Sequence, residues 1–302
     1  MRFRVLFILF AALFVIFPAR SGAAPIETYY SLGSLESSID EAEKTVRQAL
    51  ESGGFEVIGS YSPAGDESLR SIVFTSDELI SALSRLKPER MLAAALKVGL
   101  KENAGKIDVS IINPEFLFRA YTQKEFSKAE NTLMETHRKV LAALGPGKGF
   151  SKPRPFGGGG LDSEKLYKYH YMFGMEYFED MVVLNDKAKS FEEQVRKIEK
   201  NLDAKTGGAA KVYSIKPEGL KVAVYGVALT DPETGEPHFL PIIGTDHVAA
   251  MPYELIVIGD KALMLHGRYR IAIHWPALTM GTFGKIISTP GNIKETMRKV
   301  AR

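Results

Sequence analysis

Two short segments of this chain follow nearly the same pattern, and each ends in proline. They are KIDVSIINP, residues 106–114, and RYRIAIHWP, residues 268–276. Apolar residues alternate with polar ones in both, which is typical of a strand with one buried face. Asn-Pro is common where strands end, so Asn113-Pro114 favours a strand end over a functional site. Aligned on the two prolines, the segments predict that the two halves of the chain are built alike.

The order of the other predicted elements also repeats. In each half a short strand precedes an amphipathic helix, a Gly-Gly pair and two strands joined by a turn. Ser34 is the predicted N-cap of the first helix, and Gly53-Gly54 ends it. Each half closes with a further helix. The sequence therefore predicts an α+β fold of two related β-α-β4-α units, each an antiparallel sheet with helices on one face.

The repeat changes the prediction for one segment. RMLAAALKVGLKEN, residues 90–103, favours a helix by composition. Its counterpart in the second half, AMPYELIVIGDKAL at residues 250–263, favours a strand. We therefore predict a strand over residues 95–101, a turn at 103–105, and a helix confined to residues 77–86. A continuous helix from 77 to 101 would contradict this prediction.

The N-terminus predicts export. Arg2 and Arg4 precede an unbroken apolar run over residues 5–17, and Ser21-Gly22-Ala23 fits a cleavage site. A membrane anchor is the alternative, but the run is shorter than the roughly 20 residues of a spanning helix. The predicted organisation is a signal peptide (1–23), a first unit (24–144), a linker rich in Gly and Pro (145–162) and a second unit (163–302). The expected location is periplasmic or secreted, with no membrane span after cleavage.

Charge and cysteine content exclude two classes of function. Without residues 1–23 the chain has 36 basic and 36 acidic residues, because the predicted leader holds three arginines and no acid. A nucleic-acid-binding protein needs a basic surface, so no nucleic-acid partner is expected. The chain has no cysteine, which excludes disulfides and thiol chemistry.

The second half resembles the bacterial family called domain of unknown function 302. The resemblance rests on KSFEEQVRKIEKNL, on Asp231-Pro232 and on MPYELIVIGDKALMLHGRYRIAIHWPALTMG. It covers residues 189–301, and more faintly 35–144. Where family members carry a cysteine-like position, this chain has Tyr253, so a thiol role cannot apply. The resemblance implies a TATA-binding-protein-like β-α-β4-α unit, and it implies no defined activity or cofactor.

The candidate ligand site lies on the segment 261–275, predicted to be one strand. If it is a strand, His266, Arg268, Arg270 and His274 share one face, and Glu254 on the preceding strand points the same way. Such a face could bind a carboxylate or phosphate through its arginines. The alternative is a solvated sheet face, which is common in antiparallel sheets. If the two sheets face each other, Arg270 could instead pair with Asp108, its counterpart in the first half.

Other chemistry has weaker support in the sequence. His238 and His247 lie in one long loop and could bind zinc or copper, with Met251 as a soft ligand; loop polarity is the alternative. The aromatic segment 167–178 is predicted to be a strand, and haem ligation by His170 is conceivable there. No catalytic residue is predicted, because no motif for nucleophilic catalysis occurs. The cofactor stays undetermined.

Three functions are open from the sequence. The first is non-enzymatic binding of a small anionic or hydrophobic ligand, or of a protein partner, in a groove between the two units. The second is a hydrolase or redox enzyme, which could use a metal bound by His238 and His247. The third is a structural assembly protein that uses the segment 167–178 as an edge.

Overall fold

The computed structural model describes residues 25–302, so the predicted leader lies outside the described residues. The fold is α+β, with two antiparallel sheets. Five strands of the first sheet come from the first half of the chain and lie in the order β2-β3-β4-β5-β1. The elements of this half are β1 (Tyr29–Leu35), α1 (Ile39–Ser52), β2 (Glu56–Tyr61), β3 (Leu69–Thr75), α2 (Asp77–Leu83), β4 (Leu96–Asn103), β5 (Lys106–Ile112), α3 (Pro114–Thr122) and α4 (Phe126–Ala143).

The second half repeats this arrangement. Its strands lie in the order β8-β9-β10-β11-β7, which is the order of the first sheet with each strand replaced by its counterpart. The elements are β7 (Val182–Asn185), α6 (Phe191–Asp203), β8 (Ala209–Ile215), β9 (Val222–Leu229), α7 (Glu236–Ile243), β10 (Tyr253–Ile258), β11 (Lys261–Met264), α8 (Gly267–His274), α9 (Met280–Lys285) and α10 (Thr289–Ala301). The repeat predicted from the sequence therefore has a matching repeat of topology.

The segment between the halves contributes to the first sheet. Within residues 145–162, β6 (Arg154–Phe156) pairs with β1 in antiparallel register, Tyr29 opposite Phe156. A short helix, α5 (Ser163–Leu166), follows. No helix among residues 25–302 is long and apolar enough to cross a membrane.

The strand predicted against helix propensity is confirmed. β4 spans Leu96–Asn103, and the turn at Ala104-Gly105 has positive φ at both residues, as a two-residue hairpin requires. Before β4 the chain forms a buried 3-10 helix over Pro88–Ala94, and α2 ends at Leu83, three residues before its predicted end. Burial of the run decides against a long helix, since Leu96, Val98 and Leu100 all pack in the core.

The cap of α1 differs from its prediction. Ser38, and not Ser34, accepts a hydrogen bond from the backbone N–H of Glu41, while the Glu41 carboxylate accepts from the N–H of Ser38. Ser34 lies inside β1. The reciprocal bonding of a capping box needs an acid three residues after the serine, and Ser38 meets that condition. The helix does end at Gly53, as predicted.

The prediction of one strand over residues 261–275 is wrong. β11 ends at Met264, and residues 267–274 form α8. The His266 side chain accepts a hydrogen bond from the backbone N–H of Arg268 and caps the helix. A Cβ at Gly267 would lie 2.9 Å from the Cα of Pro290, so the close approach of α8 to α10 requires glycine. Nearly every residue of α8 is buried, and a helix buried on all sides has no polar stripe that would reveal its period.

The correction changes the alignment of the halves. Pro114 is the first residue of α3 and Asn113 caps it by accepting a hydrogen bond from the N–H of Glu115. The counterpart of Pro114 is thus the start of α8 near Gly267, and not Pro276. The segment 167–178 is also not a strand: it forms turns, and the first strand of the second half is β7. Residues 167–178 therefore do not form the strand edge that the assembly alternative assumed.

Candidate functional site

A buried ionic cluster joins the two halves. Glu254 on β10 pairs with Lys97 on β4 through one carboxylate oxygen, and its other oxygen accepts a hydrogen bond from Arg270 Nε at 3.2 Å. Arg270 Nη2 also donates to the backbone oxygens of Ala250 and Pro252. The side chains of Lys97, Glu254 and Arg270 are 3%, 3% and 1% exposed, so no solvent screens them. Arg270 thus joins the halves through Glu254, while Asp108, proposed as its partner, bonds to Ser34 and Asn103.

The charges in this cluster control one another. Burial alone would raise the pKa of Glu254, but Arg270 and Lys97 together hold that pKa below its usual range. Burial lowers the pKa of Lys97, and the attraction of Glu254 offsets only part of that effect. The Arg270–Glu254 pair is therefore the part of the cluster that stays charged most firmly.

His274 is enclosed by two tyrosines of the first half. Tyr121 Oη lies 2.8 Å from His274 Nε2. Tyr29 Oη lies 3.3 Å from His274 Nδ1 and donates a hydrogen bond to the His274 backbone oxygen at 3.0 Å. Burial, with Arg270 and Lys97 nearby, lowers the pKa of His274 well below its usual value. The imidazole is therefore neutral at physiological pH, and each ring nitrogen has a tyrosine hydroxyl beside it.

The other two candidate residues, His266 and Arg268, lie at the surface. The Glu176 carboxylate pairs with Arg268, and its Oε2 lies 3.3 Å from His266 Nδ1. Arg268 is 41% exposed and His266 is 26% exposed. The helical geometry of α8 thus separates the five predicted residues into a buried set, Glu254, Arg270 and His274, and a surface pair.

The two loop histidines also lie in different surroundings. His238 belongs to α7, whereas His247 is packed between aromatic rings, stacked on Phe156 at 5.7 Å between ring centroids. Burial lowers the pKa of His247 to about 4, partly offset by Asp246, which pairs with Lys101 at 2.6 Å. Within the described part of the chain, no three His, Cys, Asp or Glu residues are grouped so that they could hold a metal ion.

An apolar cleft lies beside the surface pair, and sequence reasoning did not find it. Its walls are α8, α9 and the turns of the segment 171–175. Trp275, the one tryptophan of the chain, forms part of its lining. The lining residues are Tyr171, Met172, Met175, Arg268, Ile271, Ala272, Trp275, Leu278, Met280 and Phe283. The high content of Tyr and Met in residues 167–178 could have indicated an apolar site. It did not do so because the segment was predicted to be a strand, whereas it forms turns that line the cleft.

Apolar side chains are exposed along the cleft and on the turn 171–175 that forms one of its walls. Phe173 is fully exposed, and Met172 and Met280 are 46% and 52% exposed. Arg268 is the one charged residue of the lining, and its guanidinium is already paired with Glu176. Chemically, the cleft offers dispersion contacts and aromatic faces, with little provision for an unpaired charge.

Comparison with known proteins adds a distant structural likeness. No known family model matches the sequence, and no curated protein matches it. Among solved structures, the chain is similar to an uncharacterized conserved DUF302 protein from Bacillus stearothermophilus, at 13% identity and a TM-score of 0.34. The match covers 39% of this chain and 95% of that one. A likeness this distant carries no argument about function, and membership of the DUF302 family stays a prediction.

Proposed function

We propose that this protein is a non-enzymatic binding protein and that a small apolar molecule occupies the cleft between α8, α9 and residues 171–175. The observation that supports it is the lining, in which every residue except Arg268 is apolar or aromatic. Concave, mostly apolar pockets with few polar groups are typical of small-molecule sites. The leader pattern at residues 1–23 favours an extracytoplasmic setting for this role.

The state of the cationic residues favours an apolar ligand over an anionic one. Arg270 is buried and bonded to Glu254, and Arg268 is paired with Glu176. An anion would have to displace a carboxylate from one of these arginines, which would leave that carboxylate without its partner. An apolar molecule in the cleft requires no such exchange.

The cleft is small as it stands, with a cavity volume of about 40 Å³, well under the roughly 300–1,000 Å³ of small-molecule pockets. A ligand would therefore have to move the walls of the cleft apart. Three methionines form part of the walls, and their flexible, polarizable side chains can adapt to a ligand.

Trp275 provides a direct test. Because it is the only tryptophan and lines the cleft, its fluorescence reports on occupancy. Residues 24–302 would be titrated with N-phenyl-1-naphthylamine, a neutral aromatic probe, following quenching of Trp275 and energy transfer to the probe. We expect saturable binding with one site per chain.

A matched pair of variants locates the site. Ala272→Phe inserts a ring into the cleft from α8, whereas Ala142→Phe adds the same ring at an exposed position of α4. We expect Ala272→Phe to abolish probe binding and Ala142→Phe to leave it unchanged. Equal binding by the two variants would show that the probe binds elsewhere and would overturn the proposal.

A protein partner is the second candidate, because Phe173 is fully exposed beside the cleft and Tyr171 and Tyr177 are 40% and 45% exposed. Contiguous exposed apolar surface is typical of interaction sites. Light scattering over a range of protein concentrations, for the wild type and Phe173→Ser, would detect self-association through this surface.

The enzyme alternative has less support, because Arg268 alone among the described lining residues carries a charge.

A further inference from the structure

The sulfur atoms of this chain are distributed unevenly between core and surface. The chain has ten methionines and no cysteine, so its sulfur redox chemistry is confined to thioethers. Among residues 25–302, Met91, Met251, Met264 and Met297 are at most 1% exposed. Met172 and Met280, at 46% and 52%, are the large exposed methionines of this range, and both line the apolar cleft.

These methionines belong to two walls of the cleft, the turn 171–175 and α9. Met175 donates its backbone N–H to the oxygen of Met172 at 3.0 Å, so the two residues lie in one tight turn and both line the cleft. Met280 is the first residue of α9, whose N-terminus is fixed by the hydrogen bond from the N–H of Thr282 to Thr279 Oγ1 at 3.1 Å. A ligand between the walls would contact all three side chains.

Thioethers of this kind react with peroxides without help from another group. The sulfur lone pair attacks one oxygen of hydrogen peroxide, an S–O bond forms, the O–O bond breaks, and the second oxygen leaves as water after proton transfer. The sulfur is oxidised by two electrons and the peroxide is reduced. The product, methionine sulfoxide, is polar and chiral, and reductases can convert it back.

We propose that Met172, Met175 and Met280 form an oxidation-sensitive site at which peroxide turns the cleft from apolar to polar and releases its ligand. This inference rests on the proposed function, since it regulates the same cleft. Each sulfoxide places a strong hydrogen-bond acceptor against the ligand, and an apolar ligand would bury that acceptor without a donor. The buried methionines are protected by packing, so the core survives oxidant doses that convert the cleft.

The experiment compares reduced and oxidised protein with the same probe. Residues 24–302 are treated with graded hydrogen peroxide, peptide mass spectrometry maps each sulfoxide, and N-phenyl-1-naphthylamine is titrated after each dose. We expect Met172 and Met280 to oxidise before Met91, Met251, Met264 and Met297, and the affinity to fall by about tenfold or more. Methionine sulfoxide reductases should restore it.

A triple variant separates oxidation of these methionines from other damage. Met172→Leu, Met175→Leu and Met280→Leu together keep an apolar wall of similar volume but cannot form sulfoxides. Because these residues line the cleft, the comparison is the ratio of probe affinities before and after peroxide within each protein, whatever the affinity of the reduced variant. We expect peroxide to leave that ratio near one in the variant and to lower the affinity only in the wild type. If the variant loses binding on oxidation as the wild type does, or if oxidised wild type binds as tightly as reduced, the inference is overturned. If reduced wild type binds no probe at all, the proposed function itself fails.

Discussion

The two halves of the chain share one strand order but use corresponding positions differently. Counted back from the tight turns after Asn103 and Ile258, Gly99 on β4 corresponds to Glu254 on β10. Gly99 has no side chain, and the 248–250 segment of the second half packs directly against it. Glu254, in contrast, carries the carboxylate of the buried ionic cluster. A repeated topology therefore fixes where the halves meet, and single residues decide how each contact is made.

The helices that follow the last strand of each half also differ in burial. After β5, α3 buries seven of its nine residues and is followed closely by α4. After β11, α8 is equally buried, but no residue of the short helix α9 is buried. The opening left between α8, α9 and residues 171–175 is the apolar cleft. The second half thus has a surface opening beside a short helix with no buried residue.

The largest effect should come from removing the carboxylate of the ionic cluster. Glu254→Gln leaves Lys97 and Arg270 buried without a counter-charge, and we expect a loss of about 3–5 kcal/mol in the free energy of unfolding. Urea denaturation measures it. Lys97→Met should cost less, because the Arg270–Glu254 pair stays balanced.

The matched control is Glu78→Gln, which breaks an exposed pair with Lys139 at 2.7 Å. It should cost less than about 1 kcal/mol. If Glu254→Gln costs no more than this control, the ionic cluster does not stabilise the contact between the halves.

A second difference between the halves concerns the first residue of α2 and of α7. Asp77 is exposed, whereas Glu236 is only 1% exposed. The Glu236 carboxylate accepts hydrogen bonds from two groups of the first half, Tyr61 Oη at 3.0 Å and the N–H of Ala64 at 2.9 Å. It also accepts one from the N–H of Leu229 at 3.0 Å. Burial outweighs these donors and raises the pKa of Glu236 to about 7. The folded protein therefore holds this proton more tightly than the unfolded chain.

The sign of the pH effect follows from that raised pKa. The stabilising contribution of Glu236 is complete below its unfolded pKa of about 4.3 and is lost as the pH rises through about 7, a change on the order of 3 kcal/mol. His247 and His274 act in the opposite sense, since their folded pKa values are lowered. The difference in unfolding free energy between wild type and Glu236→Gln, measured at each pH, cancels the histidines. A difference that stays constant from pH 4.5 to 8 would contradict the assignment.

Gly99 tests the contact from the other half. A Cβ there would lie 2.7 Å from the backbone nitrogen of Ala249 and would also meet Val248 Cγ1. We expect Gly99→Ala to cost about 1–3 kcal/mol, because the backbone of 248–250 cannot easily withdraw. Gly291→Ala is the control: nothing lies within 4 Å of a Cβ there, and in α10 alanine should be neutral or stabilising. Equal thermal stability of the two variants would mean that the packing at Gly99 is loose.

Much of the fold could be predicted because the repeat supplied information that single segments lack. The strand β4 was predicted only through its counterpart, and the order of strands and helices followed from Gly-Gly pairs and turns. The segment 261–275 failed for a physical reason. Tyr269, Ile271 and Ile273 alternate with Arg270 and His274, but all five are buried by tertiary contacts, so the alternation did not reflect a sheet with two faces.

The candidate site was only partly accessible to sequence reasoning. Glu254, Arg270 and His274 were predicted to share one face of a ligand groove, and in the structure all three are buried and bonded to protein groups. Their contacts with Lys97, Tyr29 and Tyr121 depend on long-range packing, which no local pattern encodes. The cleft was missed because its walls come from three segments whose relative position no local pattern encodes.

The smallest expected effect compares the first helix of each half. At the start of α1, Ser38 and Glu41 each accept a hydrogen bond from the other's backbone N–H. At the start of α6, the Ser190 side chain accepts from the N–H of Glu193, but the Glu193 carboxylate accepts from the backbone N–H of Lys189 and not from that of Ser190. We expect Ser38→Ala to cost about 1 kcal/mol and Ser190→Ala somewhat less, because only the first loses a reciprocal pair. Ser34→Ala serves as the control, since Ser34 lies in β1 and its hydroxyl makes an exposed bond to Asp108. Should Ser34→Ala lower the urea midpoint as much as Ser38→Ala does, α1 would begin where the sequence alone predicted, and not at the capping box.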